Sequence, residues 1–295
     1  MNILETTDLG RRYGRDWALR NCTLAVPEGH LVALVGPNGA GKTTLLNIAV
    51  GLTAPTEGDI TVLGGIAVGS PTALDRIAFV AQDVPLYRNL PVADMLHLTR
   101  NLNHDFDLAY ARRRLDDLAI SPKRKIGKLS GGQRAQLALT LALARHPRLL
   151  VLDEPTASLD PVARHDFMAT VVTAMTDDGI SVILSSHVLA ELERVADYLV
   201  LLTRGAVRVN GAVDDLLAEH LLVTGPATAT PDARWHVLEA SEAGAQQLLL
   251  VHVDGPDMPL PPAWEGRPVG VEELALAYLR ETPAYTRPVA VEAGR

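Results

Sequence analysis

The sequence predicts an α/β fold whose largely parallel sheet is covered by helices on both faces. Three observations carry this prediction. Short apolar runs, Leu31 to Val35, Leu149 to Leu152 and Ile180 to Leu184, have the composition of buried strands and alternate with longer helical patterns. The first runs into Gly36-Pro37-Asn38-Gly39-Ala40-Gly41-Lys42-Thr43-Thr44, and a helix-like run begins at Leu45. Glycines there let successive backbone N–H groups turn inward while a helix start aims its positive end at the same spot, which makes a phosphate-binding loop. The second runs into Asp153-Glu154, a pair of carboxylates at a strand end.

In chain order, strands are expected over Asn2 to Thr7, Ala18 to Val26 and Leu31 to Val35, with a turn at Pro27-Glu28-Gly29. The helix after the phosphate loop ends at a turn cluster, Thr53 to Gly58, and strands follow over Asp59 to Leu63 and Arg76 to Ala81. From Pro91 to Arg145 the pattern is helical, with helices at Val92 to Leu98, Leu108 to Leu118 and Gly131 to Arg145. Helices are also expected at Pro161 to Met175, Val188 to Ala196 and Val213 to His220, and a hairpin at Tyr198 to Leu202 and Ala206 to Asn210. Beyond His220 the composition shifts. Gly225 to Pro231 reads as a linker, Trp235 to Glu239 and Leu248 to Val253 as strands, and Val271 to Arg280 as an amphipathic helix.

Composition narrows the function. At 295 residues with 47% hydrophobic content the chain can bury a large core. A net charge of -8 argues against bulk affinity for nucleic acid, whose phosphate backbone favours basic surfaces. The single cysteine, Cys22, has no internal partner and reads as a small buried apolar residue in a reducing cytosol. The first dozen residues lack a secretory pattern, and the longest apolar runs fall short of the roughly 18 residues that span a bilayer, so a membrane role has to come through a partner.

Several further residues carry chemistry. Lys42 is placed to reach the β- and γ-phosphates of a nucleotide, and the Thr43 hydroxyl to hold Mg²⁺. Leu129-Ser130-Gly131-Gly132-Gln133 opens a helix with a second anion nest. Asp153 can hold Mg²⁺ through water, and Glu154 can activate an attacking water. Gln82 and His187 each follow a strand. Two basic groups, Lys123-Arg124-Lys125 and Arg112-Arg113-Arg114, read as solvated faces.

In this order and at these intervals, the motifs resemble those of the ATP-binding cassette (ABC) ATPases over residues 1 to about 220. The resemblance implies a P-loop NTPase core with a mixed, mainly parallel sheet, an N-terminal antiparallel β-subdomain and an inserted helical subdomain at about 83–145. Residues 221–295 would be a small C-terminal α+β appendage. Two such subunits, read as a homodimer, would pair head to tail with ATP and Mg²⁺ between the phosphate loop of one and the signature of the other. The resemblance assigns ATP contacts to Tyr13, Gly36, Asn38, Gly39, Gly41, Lys42, Thr43 and Thr44, and across the dimer to Ser130, Gly131, Gly132, Gln133 and Asp160. Tyr13 would stack on adenine, with Trp17 a second candidate. Glu154 would be the catalytic base, His187 would position the γ-phosphate and water, and Gln82 would sense nucleotide. Thr43, Gln82 and Asp153 would hold the metal.

After the signature the family often has a glutamine-arginine pair, where this chain has Arg134-Ala135-Gln136-Leu137. The expectation is an ATP-hydrolysing subunit, peripheral on the cytoplasmic face of the membrane, that drives export of a drug, antibiotic or peptide through a separate permease. An importer subunit and a soluble cassette ATPase acting without a transporter are the alternatives. A P-loop kinase has no use for the second nest at Ser130 to Gly132.

Overall fold

The computed structural model describes residues 1–186, 192–253, 255 and 259–280. Strands β1 (Asn2–Tyr13) and β2 (Asp16–Pro27) form a long hairpin. β3 (Leu31–Val35) enters the phosphate loop and α1 (Lys42–Ala49) leaves it. β4 (Glu57–Val62) and β5 (Ile66–Ala67) complete an antiparallel sheet in the order β2-β1-β4-β5. A short helix, α2 (Pro71–Arg76), then leads into β6 (Ile77–Val80). Neither β5 nor α2 has enough residues to register as a period in the sequence.

The helical region holds α3 (Val92–Leu102), α4 (Leu108–Asp117) and α5 (Gly131–Leu143). It is followed by β7 (Leu149–Asp153), α6 (Pro161–Asp178), β8 (Ser181–Ser186), β9 (Tyr198–Thr203), β10 (Ala206–Ala212) and α7 (Val213–Ala218). The central sheet has the order β10-β9-β3-β8-β7-β6, parallel throughout except for the β9/β10 hairpin. β3, β7 and β8 are buried along their whole lengths, as strands covered on both faces must be. Parallel order brings the C-terminal ends of β3 and β7 to one edge, so the phosphate loop and the Asp153-Glu154 pair meet there.

α5 is the joint between two cores. Ala135, Leu139, Ala142 and Leu143 pack into the core of the central sheet, while Leu137, Leu141 and Ala144 pack with Val92, Leu96, Ala111 and Leu115 of the helical region. Helical periodicity alone explains this, since the two sets lie on different faces of one helix.

The C-terminal segment departs from expectation. The stretch read as a linker begins inside β11 (His220–Pro226), an interior strand of a four-stranded antiparallel sheet. Its neighbours are β13 (Gln246–His252) and β14 (Glu265–Pro268), with β12 (His236–Ala243) beyond β13. Gly225 is there for space. A Cβ on it would meet ring carbons of Trp264 at 2.6 Å, and Trp264 stacks edge-on against Trp235 at 5.0 Å. Pro226 closes the strand, where a missing N–H costs least.

This sheet also shares its core with the cassette. Leu222, Leu238 and Leu250 join Val271, Leu274, Ala275, Ala277 and Tyr278 of α8 (Val271–Leu279) in the same buried cluster as Leu31, Leu150 and Val182. The Glu193 carboxylate accepts the Val271 N–H at 3.1 Å, and His220 bridges Leu216 O at 2.6 Å to Tyr278 Oη at 3.0 Å. Cys22 is fully buried and donates to Gly205 O at 2.9 Å, and burial pushes its thiol up to about 11. That matches the inert role its sequence context suggests.

Because the core is continuous, Leu274→Ala should weaken the whole fold rather than the C-terminal sheet alone, by about 2–5 kcal/mol. Urea unfolding followed by far-ultraviolet circular dichroism checks this. The expected result is a single transition at lower urea, without a separate early loss of β-sheet signal.

Candidate nucleotide site

At the end of β3 the chain turns through Gly39 and Gly41, whose φ values of 80° and 104° lie in the left-handed region. Gly41 has a second constraint, because a Cβ there would strike Ala18 O at 2.5 Å and Leu19 Cδ2 at 2.6 Å. Gly36 does not line the cavity. It is a packing glycine, since a Cβ would fall 2.3 Å from Leu202 O. Asn38, Gly39, Ala40, Gly41, Lys42, Thr43 and Thr44 line a cavity of about 690 Å³, together with Tyr13, Ala18, Gln82, Glu154 and Ala157.

Lys42 is 6% exposed, a position that an ammonium tolerates only with partners. Its Nζ donates to Gly36 O at 2.7 Å and lies 3.5 Å from Glu154 Oε1. Glu154 is itself 12% exposed and has a φ of 44°, a conformation that costs a non-glycine residue about 1–2 kcal/mol. Ser185, which sequence reasoning passed over, anchors it. The Glu154 N–H donates to Ser185 Oγ at 2.9 Å, and the same hydroxyl donates to Asp153 Oδ1 at 2.6 Å. The parallel register that pairs Asp153 with Ser185 sets up this arrangement, so its signal lies in strand pairing rather than in any motif. Asp153 is buried and is not among the residues lining the cavity, whereas Gln82 lines it and its Nε2 approaches Glu154 Oε2 at 3.5 Å. His187 lies outside the described residues.

Tyr13 is 49% exposed at the cavity mouth, and the Arg11 guanidinium lies 4.7 Å from its ring centroid while donating to Ala54 O at 2.9 Å. Trp17 does not line the cavity. It is held between Arg12 and Arg20, at 5.5 Å and 5.9 Å. The metal candidates Thr43, Gln82 and Asp153 offer only oxygen donors of the hard kind, so they fit Mg²⁺. Among the described residues no cluster of three or more His, Cys, Asp or Glu could hold a metal.

The second nest stands apart. Ser130 caps α5 through a reciprocal box, with Ser130 Oγ accepting the Gln133 N–H at 3.1 Å and Gln133 Oε1 accepting the Ser130 N–H at 3.2 Å. Gly132 lets α5 approach α6, since a Cβ would lie 2.9 Å from that of Ala163. Gly131 lies over Ser158 O with ordinary clearance. Asp160 caps α6 by accepting the Val162 and Ala163 N–H groups at 3.1 Å and 2.9 Å. Ser130, Gly132, Gln133 and Asp160 line a separate cavity of about 250 Å³ that includes no phosphate-loop residue. Arg124 is exposed, as its reading in a solvated face expects, and also donates to Lys128 O at 2.7 Å, just before the signature.

The family model described as ABC transporter matches residues 19–157. The lantibiotic transport ATP-binding protein SrtF of Streptococcus pyogenes is 32% identical over 206 residues, which are 70% of this chain and 89% of the relative. The chain belongs to the ATP-binding subunits of ABC transporters. The sulfate/thiosulfate import ATP-binding protein CysA of Acinetobacter baylyi is 34% identical over 218 residues, 71% of this chain and 62% of that protein. Among solved structures, dimeric MJ0796, a bacterial ABC transporter cassette, superposes with a TM-score of 0.64 at 25% identity, covering 71% of this chain and 98% of that one. As an ABC ATPase the chain binds and hydrolyses ATP. No helix among the described residues is long and apolar enough to cross a membrane.

Ser185→Ala should remove the hydroxyl shared by Asp153 and the Glu154 N–H, leaving that N–H only the carbonyl of residue 185 at 3.2 Å. We expect ATP turnover to fall about tenfold, the effect of roughly 1.4 kcal/mol lost at the reacting edge, with ATP affinity changed little. Steady-state ATPase rates beside equilibrium binding of a fluorescent ATP analogue measure the two.

Proposed function

We propose that the chain is the motor subunit of an exporter for an antibiotic, drug or peptide, working as a head-to-tail homodimer beneath a separate permease on the cytoplasmic face of the membrane. One observation carries this reading. The two phosphate nests of a single chain open into different cavities, so each is half of a site that a second copy can complete. Residues 1–220 form the cassette, with its helical subdomain at about 83–145, and residues 221–295 form an accessory element.

In this mechanism Tyr13 stacks on adenine, and Lys42 leaves Gly36 O and Glu154 for the β- and γ-phosphates. Thr43, Asp153 and Gln82 hold Mg²⁺, which when bound spreads the charge developing on the phosphates. Freed from Lys42, Glu154 takes a proton from the water that attacks the γ-phosphorus in line, and His187 orients that water. Ser130 and the backbone of Gly131, Gly132 and Gln133 close over the γ-phosphate from the partner, and Asp160 links the halves. Gln82 lies beyond β6, beside an apolar groove of about 340 Å³ lined by Val84, Leu86, Met95 and Leu141, and we assign this groove to the permease.

The match to the lantibiotic relative over 89% of its length supports the transported class. The importer relative, at 34% identity, favours the second reading. Reconstitution with the permease in inverted vesicles decides between them, since ATP-driven uptake of the compound into the lumen means export.

Glu154→Gln should bind ATP, hydrolyse it at least about a hundredfold more slowly and accumulate as a dimer in size-exclusion chromatography. Unchanged turnover would remove Glu154 from its role. Head-to-tail pairing has its own test. Ser130→Asp keeps a competent helix cap but repels phosphate, and Lys42→Ala empties the loop. Each variant alone should fail to dimerise with ATP, whereas their mixture should recover one intact site and form mixed dimers. No recovery would mean that both nests serve the same chain's nucleotide.

A further inference from the structure

Arg112 and Arg113 are exposed on α4, but Arg114 turns inward. Its guanidinium reaches three oxygens on two other helices: Gln136 Oε1 at 3.1 Å, Thr140 Oγ1 at 3.3 Å and Thr170 Oγ1 at 3.1 Å. Gln136 and Thr140 are buried on α5, one turn apart, and Thr170 is on α6. The acceptors are neutral, so the contact works by geometry: one planar fork with donors at fixed angles reads the relative positions of three helices.

These are the helices that build the signature cavity. Ser130 caps α5, Asp160 caps α6, and Gln136 itself lines the cavity beside Ser130, Gly132 and Asp160. Thr140 donates to Gln136 O at 2.7 Å, and Thr170 to Asp166 O at 3.0 Å, so each hydroxyl ties the guanidinium to the helical turn behind the cavity. Ala111 and Leu115 meanwhile bind α4 into the helical core. Gln136 also falls in the stretch after the signature where the chain departs from the common family pattern.

We propose that Arg114 is a positioning residue for the signature half of the site, fixing α5 against α6 so that Ser130 and the α5 amides meet the nucleotide held by the partner. The proposal rests on the two-copy reading above. It predicts a split between functions that a general loss of stability would not produce, because the phosphate-loop cavity contains none of the three helices.

In the full-length Glu154→Gln protein, adding Arg114→Gln should lower ATP-driven dimerisation about tenfold or more, measured by analytical ultracentrifugation against ATP. ATP affinity of the monomer, measured with a fluorescent ATP analogue at low protein concentration, should stay within about twofold. In the otherwise native chain, Arg114→Gln should lower kcat at saturating ATP, and Arg114→Lys, which reaches fewer acceptors, should recover only part of it. Thr170→Val should act in the same direction but more weakly, and add little on top of Arg114→Gln. Native dimerisation in Arg114→Gln, or an equal loss of monomer ATP affinity, overturns the proposal. If Arg114→Gln does not fold, full dimerisation by Thr170→Val overturns it. A parent Glu154→Gln protein that does not dimerise with ATP sinks the two-copy reading and this inference together.

Discussion

A buried ammonium is the constraint on which the rest of the structure depends. Lys42 starts α1 at the end of a strand that is buried on both faces, so its charge must be met by groups that the fold brings to it. Those groups are the Gly36 carbonyl, from the loop itself, and the Glu154 carboxylate, from the end of β7. Glu154 meets the ammonium from a left-handed backbone conformation, with its N–H held by Ser185 on β8. Three adjacent parallel strands thus converge on one cation. In the proposed mechanism the ion pair is a rival of phosphate, so that nucleotide binding and release of the carboxylate would be one event.

The second consequence concerns α5. One face belongs to the sheet core and another to the helical core, while its N-terminal end carries the signature. The apolar groove lined by Met95 and Leu141 lies against the same joint. Arg114 adds a polar contact between α4, α5 and α6.

Much of this was legible in the sequence. The extents of β3 and β7 followed from apolar runs bounded by glycine or a carboxylate, and the helices α3 to α6 followed from their periods. Lys42, Gln82 and Glu154 were each marked by what precedes them, and the structure brings all three to one cavity. Where reading failed, the reason was local. Gly225 and Pro226 looked like a linker because composition cannot tell a flexible glycine from one that leaves room for Trp264. Arg114 looked solvated because three consecutive arginines on a helix point in three directions, and sequence does not say which one meets a neighbouring helix.

The sequence by itself determined the phosphate loop, the signature and the acidic strand end, because their function depends on backbone turns and residue types that are local in the chain. Only the tertiary structure decided which of them share a cavity. It placed Ser185 between Asp153 and Glu154 through strand register, merged the C-terminal sheet into the cassette core through Leu222, Leu250 and Leu274, and kept the two phosphate nests apart. Each of these depends on pairing between residues distant in the chain, and such pairings are chosen by the burial of whole surfaces rather than by any one segment.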